Sequence, residues 1–243
     1  MPCERTAAPV SMYYEPLIAA IDVFWKALAP IVPDRLPAGH QRSVGATLVS
    51  GLHPDTGNLF VMGEPLVGGW GASQSEDGDN GQFCCGNGET YNIPCELLET
   101  RYGLQVTQYA FHDQDGGAGR FRGGKGVVRE YRVTAERAFL TYGASRSASR
   151  PWGLAGGHEG SNNYSEIHRT DGSIEKHNMC TTVPVERNEL IRLYSATGGG
   201  YGDPVQRPRQ QVETDLKNGF ITLDQAVQHY AYQPGAGHER AKV

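Results

Sequence analysis

Glycine is the residue that most constrains how this chain can fold. The sequence of 243 residues contains 32 glycines, and they occur in clusters without a regular period. Because glycine has no Cβ atom, such clusters predict tight turns and places where the backbone closely approaches another backbone or a ligand. One long stretch without periodicity, from Gly68 to Asn92, is dense in Gly, Asn, Asp and Ser. A stretch of that length in a folded chain is usually functional or disordered.

Composition and charge exclude several classes of protein. Hydrophobic residues make up 38% and charged residues 20%, as in ordinary folded proteins, and the length suits one large or two small domains. The net charge is −5 and no run is rich in Lys and Arg, so we do not expect a nucleic-acid partner. No apolar run is long enough to span a bilayer, and the first residues lack the features of a secretory signal. We therefore expect a cytoplasmic protein without a membrane partner, whose five cysteines are reduced.

The spacing of apolar residues predicts an α+β fold that is rich in strands and in long glycine loops. An N-terminal amphipathic helix begins at Pro16, a position where the missing N–H of proline costs nothing. Its apolar residues recur at spacings of three and four: Leu17, Ile21, Phe24, Trp25 and Leu28. A helix whose apolar side joins the core is favoured, and a helix docked on a partner chain is the alternative.

Two strand pairs are predicted as hairpins, 43–52 with 58–64 and 127–134 with 138–143, and a further strand is predicted over 104–112. In the first pair, the connecting residues His53-Pro54-Asp55-Thr56-Gly57 have the turn chemistry of a hairpin loop. The pattern therefore places most of the regular structure in strands.

Short helices complete the prediction. One is expected over 94–101 and one over 208–217, while 150–178 is predicted to be loop-rich. The last helix begins at Thr222, where Gln225 three residues later forms a capping box that satisfies two N–H groups of the first turn. Two short C-terminal helices therefore close the chain.

Four glycine-rich segments carry a resemblance to a known family. In chain order they are Gly68–Ala72 (GGWGA), Asp115–Gly124 (DGGAGRFRGG), Pro151–Gly157 (PWGLAGG) and Thr197–Pro204 (TGGGYGDP). Each is weakly specific by itself. In this order they resemble the C-terminal portion of hydantoinase B proteins, a family that includes the matching subunits of 5-oxoprolinase and of acetone and acetophenone carboxylases.

Smaller features extend the resemblance from residue 9 to residue 230. They are Gly86-Asn87, Asn92–Glu96 and, near the end, Val212, Asp215, Gly219, Ala226 and Tyr230. The resemblance implies one hydantoinase B-like domain over 1–233, followed by a flexible tail over 234–243. Family members continue further on the N-terminal side, so it also implies a split subunit whose N-terminal half is a separate polypeptide. Phe83-Cys84-Cys85 departs from the family pattern.

The resemblance further implies a reaction scheme. An actin-like ATPase subunit would use ATP and Mg²⁺ to phosphorylate the oxygen of a lactam, an imide or an enolised ketone. The hydantoinase B-type subunit would then complete hydrolysis or carboxylation, which requires an oriented water or bicarbonate and groups that hold developing negative charge. We therefore expect a subunit of an ATP-dependent cyclic amide hydrolase. A ketone carboxylase subunit and a non-catalytic scaffold for the N-terminal half are the alternatives, and any Mn, Fe or Zn is expected elsewhere in the complex.

Gly119–Lys125 has the spacing of a phosphate loop, but Gly126 stands where Ser or Thr should hold Mg²⁺. The residues that follow predict a strand, whereas a phosphate loop opens a helix. A glycine-rich turn that leads into a strand is therefore favoured over a nucleotide site. Arg120, Arg122 and Lys125 could still bind a phosphorylated intermediate.

Gly198–Pro204 contains a glycine run that superficially matches a dinucleotide-binding motif. No βα unit clearly precedes it, and Asp203 before Pro204 is restricted to an extended conformation. A tight structural loop is favoured, with an active-site or interface loop as the alternative.

His112-Asp113-Gln114-Asp115 places an imidazole and two carboxylates within four residues. We assign His112 and Asp115 as candidate catalytic residues. The same groups could hold Mn²⁺, Fe²⁺ or Zn²⁺, but a role for Asp115 in bracing the glycine turn is favoured over a metal site. No residue is assigned to a metal.

The loop before these residues supplies candidate substrate ligands. Asp79, Asn87 and Asn92 carry polar side chains, and an Asn amide both donates and accepts, which suits the edge of a lactam. The alternative is that each residue forms a turn with its own backbone. With Arg120 and Arg122, they make up the predicted substrate-binding set.

Three cysteines lie in the same polar region. Cys84, Cys85 and Cys95 form no C-x-x-C pair, which gives poor geometry for zinc, and a nucleophilic thiolate would need a neighbouring base. Buried or half-buried inert thiols are therefore favoured.

Overall fold

A computed structural model describes residues 14–88 and 90–234, and strands dominate its regular structure. The strands are β1 (Ala46–Leu52), β2 (Leu59–Glu64), β3 (Leu104–Phe111), β4 (Val127–Val133), β5 (Arg137–Gly143), β6 (Tyr164–His168), β7 (Ile174–His177), β8 (Met179–Glu186) and β9 (Leu190–Tyr194). The α-helices are α1 (Tyr14–Leu28), α2 (Cys95–Arg101), α3 (Arg209–Lys217) and α4 (Leu223–Tyr230). The predicted strand-rich α+β class is confirmed. Every helix in the described part of the chain is too short or too polar to cross a bilayer.

The strands form two antiparallel sheets with a shared core. One sheet has the order β2-β1-β5-β8 and the other the order β3-β4-β9-β6-β7. Val49 and Leu140 of the first sheet belong to the same buried cluster as Tyr131 and Ile191 of the second. The sheets therefore pack face to face, as in a β-sandwich.

One predicted hairpin is confirmed and the other is wrong. β1 and β2 pair antiparallel, with Leu52 opposite Leu59. β4 and β5 do not pair with each other, because β4 pairs with β3 and β9 whereas β5 pairs with β1 and β8. Residues 134–136 carry the chain from one sheet to the other. β4 and β5 contribute to the same core from different sheets. Two apolar strands joined by a short connection give the same sequence pattern whether they pair as a hairpin or cross between sheets.

Residues 150–178 contain more structure than predicted. β6 and β7 form a hairpin there, with His168 opposite Ile174. Both strands are short, and β7 has no buried residue, so they carry little of the alternation that marks a half-buried strand. The prediction of a loop-rich segment is therefore wrong over 164–177.

The four predicted helices are confirmed, but the favoured expectation that the apolar side of α1 joins the core is wrong for Leu17, Phe24 and Leu28, which are exposed. Specific contacts hold α1 and α4 in place. α1 is held by Asp22, whose Oδ1 accepts hydrogen bonds from Arg146 Nη2 (2.6 Å) and Trp152 Nε1 (3.1 Å). At the start of α4, Thr222 Oγ1 accepts from Gln225 N and Gln225 Oε1 accepts from Thr222 N, which is the predicted capping box. The predicted flexible tail lies outside the described residues from position 235 onward.

The four glycine-rich segments converge on one another. We call the assembly of segments 68–72, 115–124, 151–160 and 197–202 the glycine core. Gly198 donates to Gly124 O (2.9 Å) and accepts from Gly117 N (2.8 Å). Gly199 donates to Gly39 O and accepts from Ala72 N, and Gly200 donates to His158 O and accepts from Leu154 N. Three consecutive residues therefore bond to several different segments, whereas a strand in a sheet bonds to two neighbours.

This arrangement leaves no room for side chains. A Cβ atom added to Gly198 would lie 1.7 Å from Trp70 O, and one added to Gly124 would lie 1.9 Å from Asp79 O. The situation resembles the axis of the collagen triple helix, where only glycine fits. The favoured interpretation of Gly198–Pro204 as a tight structural loop agrees with this packing, and Asp203 is extended as predicted (φ −62°, ψ 120°).

We predict that Gly198→Ala destabilises the fold by about 3 kcal/mol or more, because the added methyl group overlaps a buried backbone carbonyl that cannot move freely. Gly88→Ala is the matched control, since an added Cβ there meets nothing within 4 Å. Chemical denaturation followed by circular dichroism measures both. Equal free energies of unfolding for the two variants would contradict the proposed role of the glycine core.

Candidate functional site

A cleft with a volume of about 860 Å³ opens beside the glycine core. Its lining comes from the core segments, from β6 and β7, and from α4. The residues of this lining that matter most for chemistry are Gln114, Asp115, Arg150, His158, Tyr164, Lys176 and His229. Because the core fixes the backbone on one side of the cleft, groups attached to it have fixed positions.

Asp115 and Glu159 are the two acidic residues that line this cleft, and Asp115 is the one attached to the glycine core segment 115–124. Its Oδ1 accepts a charge-assisted hydrogen bond from Lys125 Nζ at 3.0 Å, and the same ammonium group donates to Gln114 O at 3.0 Å. Asp115 Oδ2 is buried, and none of the described residues donates a hydrogen bond to it. Lys125 therefore holds one oxygen of the carboxylate, and the other oxygen is buried with no hydrogen-bond donor among the described residues. The structure supports the favoured role of Asp115 in bracing the glycine turn and leaves it a second function.

Burial and charge act in opposite directions on Asp115. Burial raises the pKa of its carboxyl group, and the Lys125 ammonium works against that rise without cancelling it. A raised carboxyl pKa is typical of groups that accept or deliver protons near neutral pH.

His112 lies beneath the same turn and is fully engaged by the backbone. Its Nδ1 accepts from Gln114 N at 3.1 Å, so Nε2 carries the proton that is donated to Ser195 O at 2.7 Å. Burial lowers the pKa of its imidazole, which keeps the ring neutral. This geometry makes His112 a residue that positions the segment carrying Asp115, and the catalytic role predicted for it stays a prediction.

A pair of histidines forms another part of the cleft, and sequence reasoning missed it. The rings of His158 and His229 lie 5.1 Å apart between centroids, in an edge-to-face arrangement. Burial, together with the neighbouring ring, lowers the pKa of His229. Because the two residues are far apart in the sequence and one belongs to a glycine-rich loop, no local pattern links them.

An aromatic and cationic wall completes the cleft. Lys176 Nζ lies 3.4 Å from the centroid of the Tyr164 ring, which is a cation–π contact, and Tyr164 stacks on Tyr194 with centroids 4.5 Å apart. The Tyr164 hydroxyl accepts from Gln114 Nε2 at 2.9 Å, and burial raises its pKa to about 12. Arg150 also lines the cleft. Two cations therefore face a space that contains a carboxylate.

The predicted cation group Arg120, Arg122 and Lys125 is not brought together as a phosphate site. Arg122 is buried, and its Nε donates to Asp215 Oδ1 at 3.2 Å. Lys125 is occupied by Asp115, and Arg120 is exposed. Each of the two buried cations is thus committed to a carboxylate, and the substrate-binding roles of Arg120 and Arg122 stay predictions.

Arg122 belongs to a larger buried charge network. Arg207 contacts Asp215 Oδ2 (2.7 Å) and Asp77 Oδ1 (2.7 Å) with separate nitrogens, so two arginines and two aspartates alternate. Burial alone would raise the pKa of Asp77, but the Arg207 and Arg122 guanidinium groups hold it below its usual value. The network joins α3 to the glycine core.

The predicted polar ligands lie elsewhere. Asn92 donates to Pro65 O at 3.0 Å and accepts from the Tyr109 hydroxyl at 3.0 Å, and Asn87 Oδ1 accepts from Thr90 Oγ1 at 2.9 Å. Asp79 is exposed and contributes its backbone carbonyl to Trp70 N. None of the three lines the cleft that contains Asp115. Their contacts are those of turn and loop residues, and their substrate-binding roles stay predictions.

Two of the cysteines fit the favoured interpretation as inert thiols and one does not. Cys84 is buried and Cys85 half-buried. Burial raises the pKa of the Cys84 thiol to about 12 and raises that of Cys85, which disfavours thiolate. Cys95 is exposed at the start of α2, so the expectation that it is buried or half-buried is wrong.

Neither a metal site nor a phosphate loop is assembled in the described residues. Between 14 and 88 and between 90 and 234, no three His, Cys, Asp or Glu side chains are grouped closely enough to hold a metal ion. This part of the chain therefore offers no complete ligand set for Mn, Fe or Zn. Gly119–Lys125 leads into β4, as predicted, and not into a helix.

Comparisons with known proteins give a consistent result. The family model described as Hydantoinase B/oxoprolinase matches residues 1–204. The chain is 31% identical over 216 residues to the B-type subunit of a putative D-/L-hydantoinase from Pseudomonas sp. (strain NS671), a match that covers 87% of this chain and 35% of that protein. It is 28% identical over 239 residues to the beta subunit of the caprolactamase from Pseudomonas jessenii, covering 93% and 40%. The chain thus spans between 35% and 40% of the length of these curated relatives.

Solved structures agree. The crystal structure of ATP-dependent caprolactamase from Pseudomonas jessenii matches with a TM-score of 0.75 and 26% identity, covering 88% of this chain and 38% of that chain. The nucleotide-free structure of acetone carboxylase matches with a TM-score of 0.75 and 21% identity, covering 89% and 34%. At that identity the second match shows a shared fold alone.

We predict that Lys125→Met destabilises the protein by about 3–5 kcal/mol, because it leaves the buried Asp115 carboxylate without its cation. Loss of the Lys125 ammonium group raises the folded-state pKa of Asp115 further. A carboxyl pKa above the unfolded value of about 3.9 gives stability at low pH that is lost as pH rises through the folded pKa. Urea denaturation of Lys125→Met at pH values from about 4 upward should show the free energy of unfolding falling as pH rises.

Adding Asp115→Asn to Lys125→Met should recover part of the lost stability, since the amide carries no charge. The double-mutant cycle measures the coupling between the two groups. Additive effects of the single substitutions would refute the ion pair as the anchor of Asp115.

Proposed function

The chain belongs to the hydantoinase B/oxoprolinase family, and from that premise we propose that it forms part of an ATP-dependent enzyme complex that hydrolyses a cyclic amide. The chain contributes the proton-transferring side of the active site, and an actin-like ATPase subunit supplies the phosphorylated substrate. The names of the relatives support this class, since they include a hydantoinase of the same type, a caprolactamase and 5-oxoprolinases.

The observation that carries the proposal is the position of Asp115. One carboxylate oxygen is fixed by Lys125, and the other is buried at the cleft with no hydrogen-bond donor among the described residues. A small side-chain movement that exposes this oxygen to the cleft would let it orient a water molecule and accept its proton. The raised pKa of Asp115 makes it a stronger base than a surface aspartate.

The chemistry requires that the ring C–N bond breaks. Water adds to the carbon of the O-phosphorylated amide and its proton passes to Asp115, which gives a tetrahedral carbon bearing hydroxyl, phosphate and nitrogen. Loss of phosphate from this carbon would only regenerate the lactam. Productive collapse expels the nitrogen, which takes up a proton, and leaves an acyl phosphate that a second water converts to carboxylate and inorganic phosphate.

The histidine pair suits the second proton transfer. His229 has a lowered pKa and is neutral near pH 7, so its ring offers one donor and one acceptor nitrogen. His158 stands beside it in the same cleft. We assign the pair to the proton that the departing nitrogen requires.

Cations in the lining suit the phosphate group. Lys176 and Arg150 line the cleft and are both exposed, and Glu159 is an acidic residue in the same lining. A doubly charged phosphate on the substrate would be attracted to this side of the cleft. Lys125 and Arg122, by contrast, are already paired with aspartates.

The complex that we propose contains at least two further parts. ATP and Mg²⁺ are held by an actin-like ATPase subunit, and the remainder of the hydantoinase B sequence provides other groups of the site, including any metal ligands. A ketone carboxylase subunit is the alternative within the family, and a non-catalytic scaffold is the alternative outside it.

We predict that Asp115→Asn lowers kcat of the assembled complex by about 100-fold or more, because the amide cannot accept the proton of water. Asp113→Asn is the matched control, since that side chain is exposed and does not line the cleft. Release of inorganic phosphate and of the ring-opened product from lactam substrates is measured together. Turnover by the wild-type complex should fall as pH is lowered through the raised pKa of Asp115, and this limb should be absent from any residual activity of the variant.

Several outcomes distinguish the alternatives. Unchanged turnover in Asp115→Asn would support the scaffold, and bicarbonate-dependent consumption of a ketone without lactam opening would support the carboxylase. Hydrolysis by the isolated chain without ATP would contradict the complex altogether.

A further inference from the structure

The outward surface of the four-stranded sheet is apolar. Side chains on β1, β2 and β5 alternate between buried and exposed, so every second residue points away from the core. Large apolar side chains occupy the outward positions, with these exposed fractions: Leu48 46%, Leu52 60%, Leu59 74%, Val61 58% and Phe139 37%. We call these residues the outer sheet face.

The strand register makes this surface continuous. Leu52 lies opposite Leu59, and Ser50 lies between Val61 on one neighbouring strand and Phe139 on the other. Directly opposed residues on one side of an antiparallel pair have Cβ atoms about 5 Å apart. The outer sheet face is therefore one patch that crosses three strands.

Such a pattern is unusual for a surface in water. An antiparallel sheet that covers a core on one side normally carries polar residues on the other. A contiguous exposed apolar patch with a polar border marks an interaction site. Arg137 and Glu186 supply such a border, since they form an exposed ion pair of 2.7 Å on β5 and β8.

We propose that the outer sheet face is the docking surface for the part of the hydantoinase B fold that this chain does not contain. The chain corresponds to 35% to 40% of the length of its curated relatives, whereas the match covers 87% to 93% of the chain itself. In those relatives, these strands fold within a polypeptide that includes the remaining sequence. The remaining sequence would bury apolar surface if it packed on the outer sheet face of the part that this chain matches.

A second copy of this chain is the competing occupant. The family comparison favours the remainder, because the hydantoinase and caprolactamase relatives carry additional sequence that must pack somewhere. The inference rests on the proposed function in one respect, that the complete site includes the rest of the hydantoinase B sequence. The new content is the surface to which that sequence binds, the outer sheet face.

The test uses this chain and, as a separate polypeptide, the remainder of the hydantoinase B sequence from the same source. Size-exclusion chromatography with light scattering gives the stoichiometry, and calorimetric titration gives Kd. Val61→Asp places a charge within the patch, on strand β2. Ile174→Asp is the matched control, because Ile174 is 57% exposed on β7, the edge strand of the other sheet, against 58% for Val61 on edge strand β2.

We expect a one-to-one complex whose Kd rises by about ten-fold or more in Val61→Asp and by no more than about two-fold in Ile174→Asp. No complex with the remainder, or a Kd that neither substitution changes, overturns the proposal. A dimer of the chain alone that Val61→Asp dissociates overturns it in favour of a second copy. If Val61→Asp lowers the unfolding midpoint of the isolated chain, the binding test uses Val61→Thr instead, because threonine keeps the strand propensity of valine.

Failure of this interface and failure of the proposed function give different results. Asp115→Asn should bind the remainder normally and yet be inactive in the assembled complex. A wild-type complex that forms through Val61 but opens no cyclic amide contradicts the proposed function and leaves the interface intact. An active complex that is insensitive to Val61→Asp contradicts the interface alone.

Discussion

Direct packing of backbone on backbone is the constraint on which this structure depends. In the glycine core, the space that side chains fill in an ordinary interior is taken by peptide groups of neighbouring segments, at distances that exclude any Cβ. The hydrogen bonds of Gly198, Gly199 and Gly200 run in several directions, so the segments lock one another without forming a sheet. Glycine loses more chain entropy on folding than other residues. Here that cost is offset because buried N–H and C=O groups are paired and the backbones are in contact.

The glycine core also determines where two buried ion pairs lie. Buried cations extend from its rim toward aspartates, Lys125 to Asp115 and Arg122 to Asp215. The Arg122–Asp215 pair ties the core to α3, and the Lys125–Asp115 pair fixes Asp115, the first residue of core segment 115–124, beside the cleft. A buried ion pair adds little net stability by itself, but removing one partner is costly. The main effect of these pairs is therefore to fix the positions of their side chains. Lys125 fixes the orientation of Asp115 through Oδ1 alone.

The sequence predicts local structure here much better than it predicts long-range partners. The capping box of Thr222 and Gln225 was predictable because both groups lie within one helical turn. The pairing of β4 was not, because a short connection fits a hairpin as well as a crossing between sheets. Asp115 was identified as a candidate from its neighbours in sequence, whereas its partner Lys125 was grouped with Arg120 and Arg122 as a phosphate ligand. The histidine pair at positions 158 and 229 depends on how a glycine loop meets α4, and no periodicity encodes that meeting.

The distribution of free and committed groups agrees with a chain that completes a larger enzyme. Most strongly buried cations are neutralised within the chain, and the Asn side chains of the loop before α2 bind neighbouring backbone and side chains. Exposed apolar side chains also lie on α1, at Leu17, Val23 and Phe24, but two other places bear on the proposals made above. One is the cleft, where a carboxylate oxygen, two imidazoles and two exposed cations can move protons and attract an anion. The other is the outer sheet face, where apolar side chains meet water. Cleaving an activated amide needs an ATP-derived phosphate in addition to proton transfer, and the segments that build the glycine core all lie within this chain. Under the proposal, further parts of the complex bind at the cleft, which holds groups for proton transfer, and at the outer sheet face, which presents apolar side chains to water.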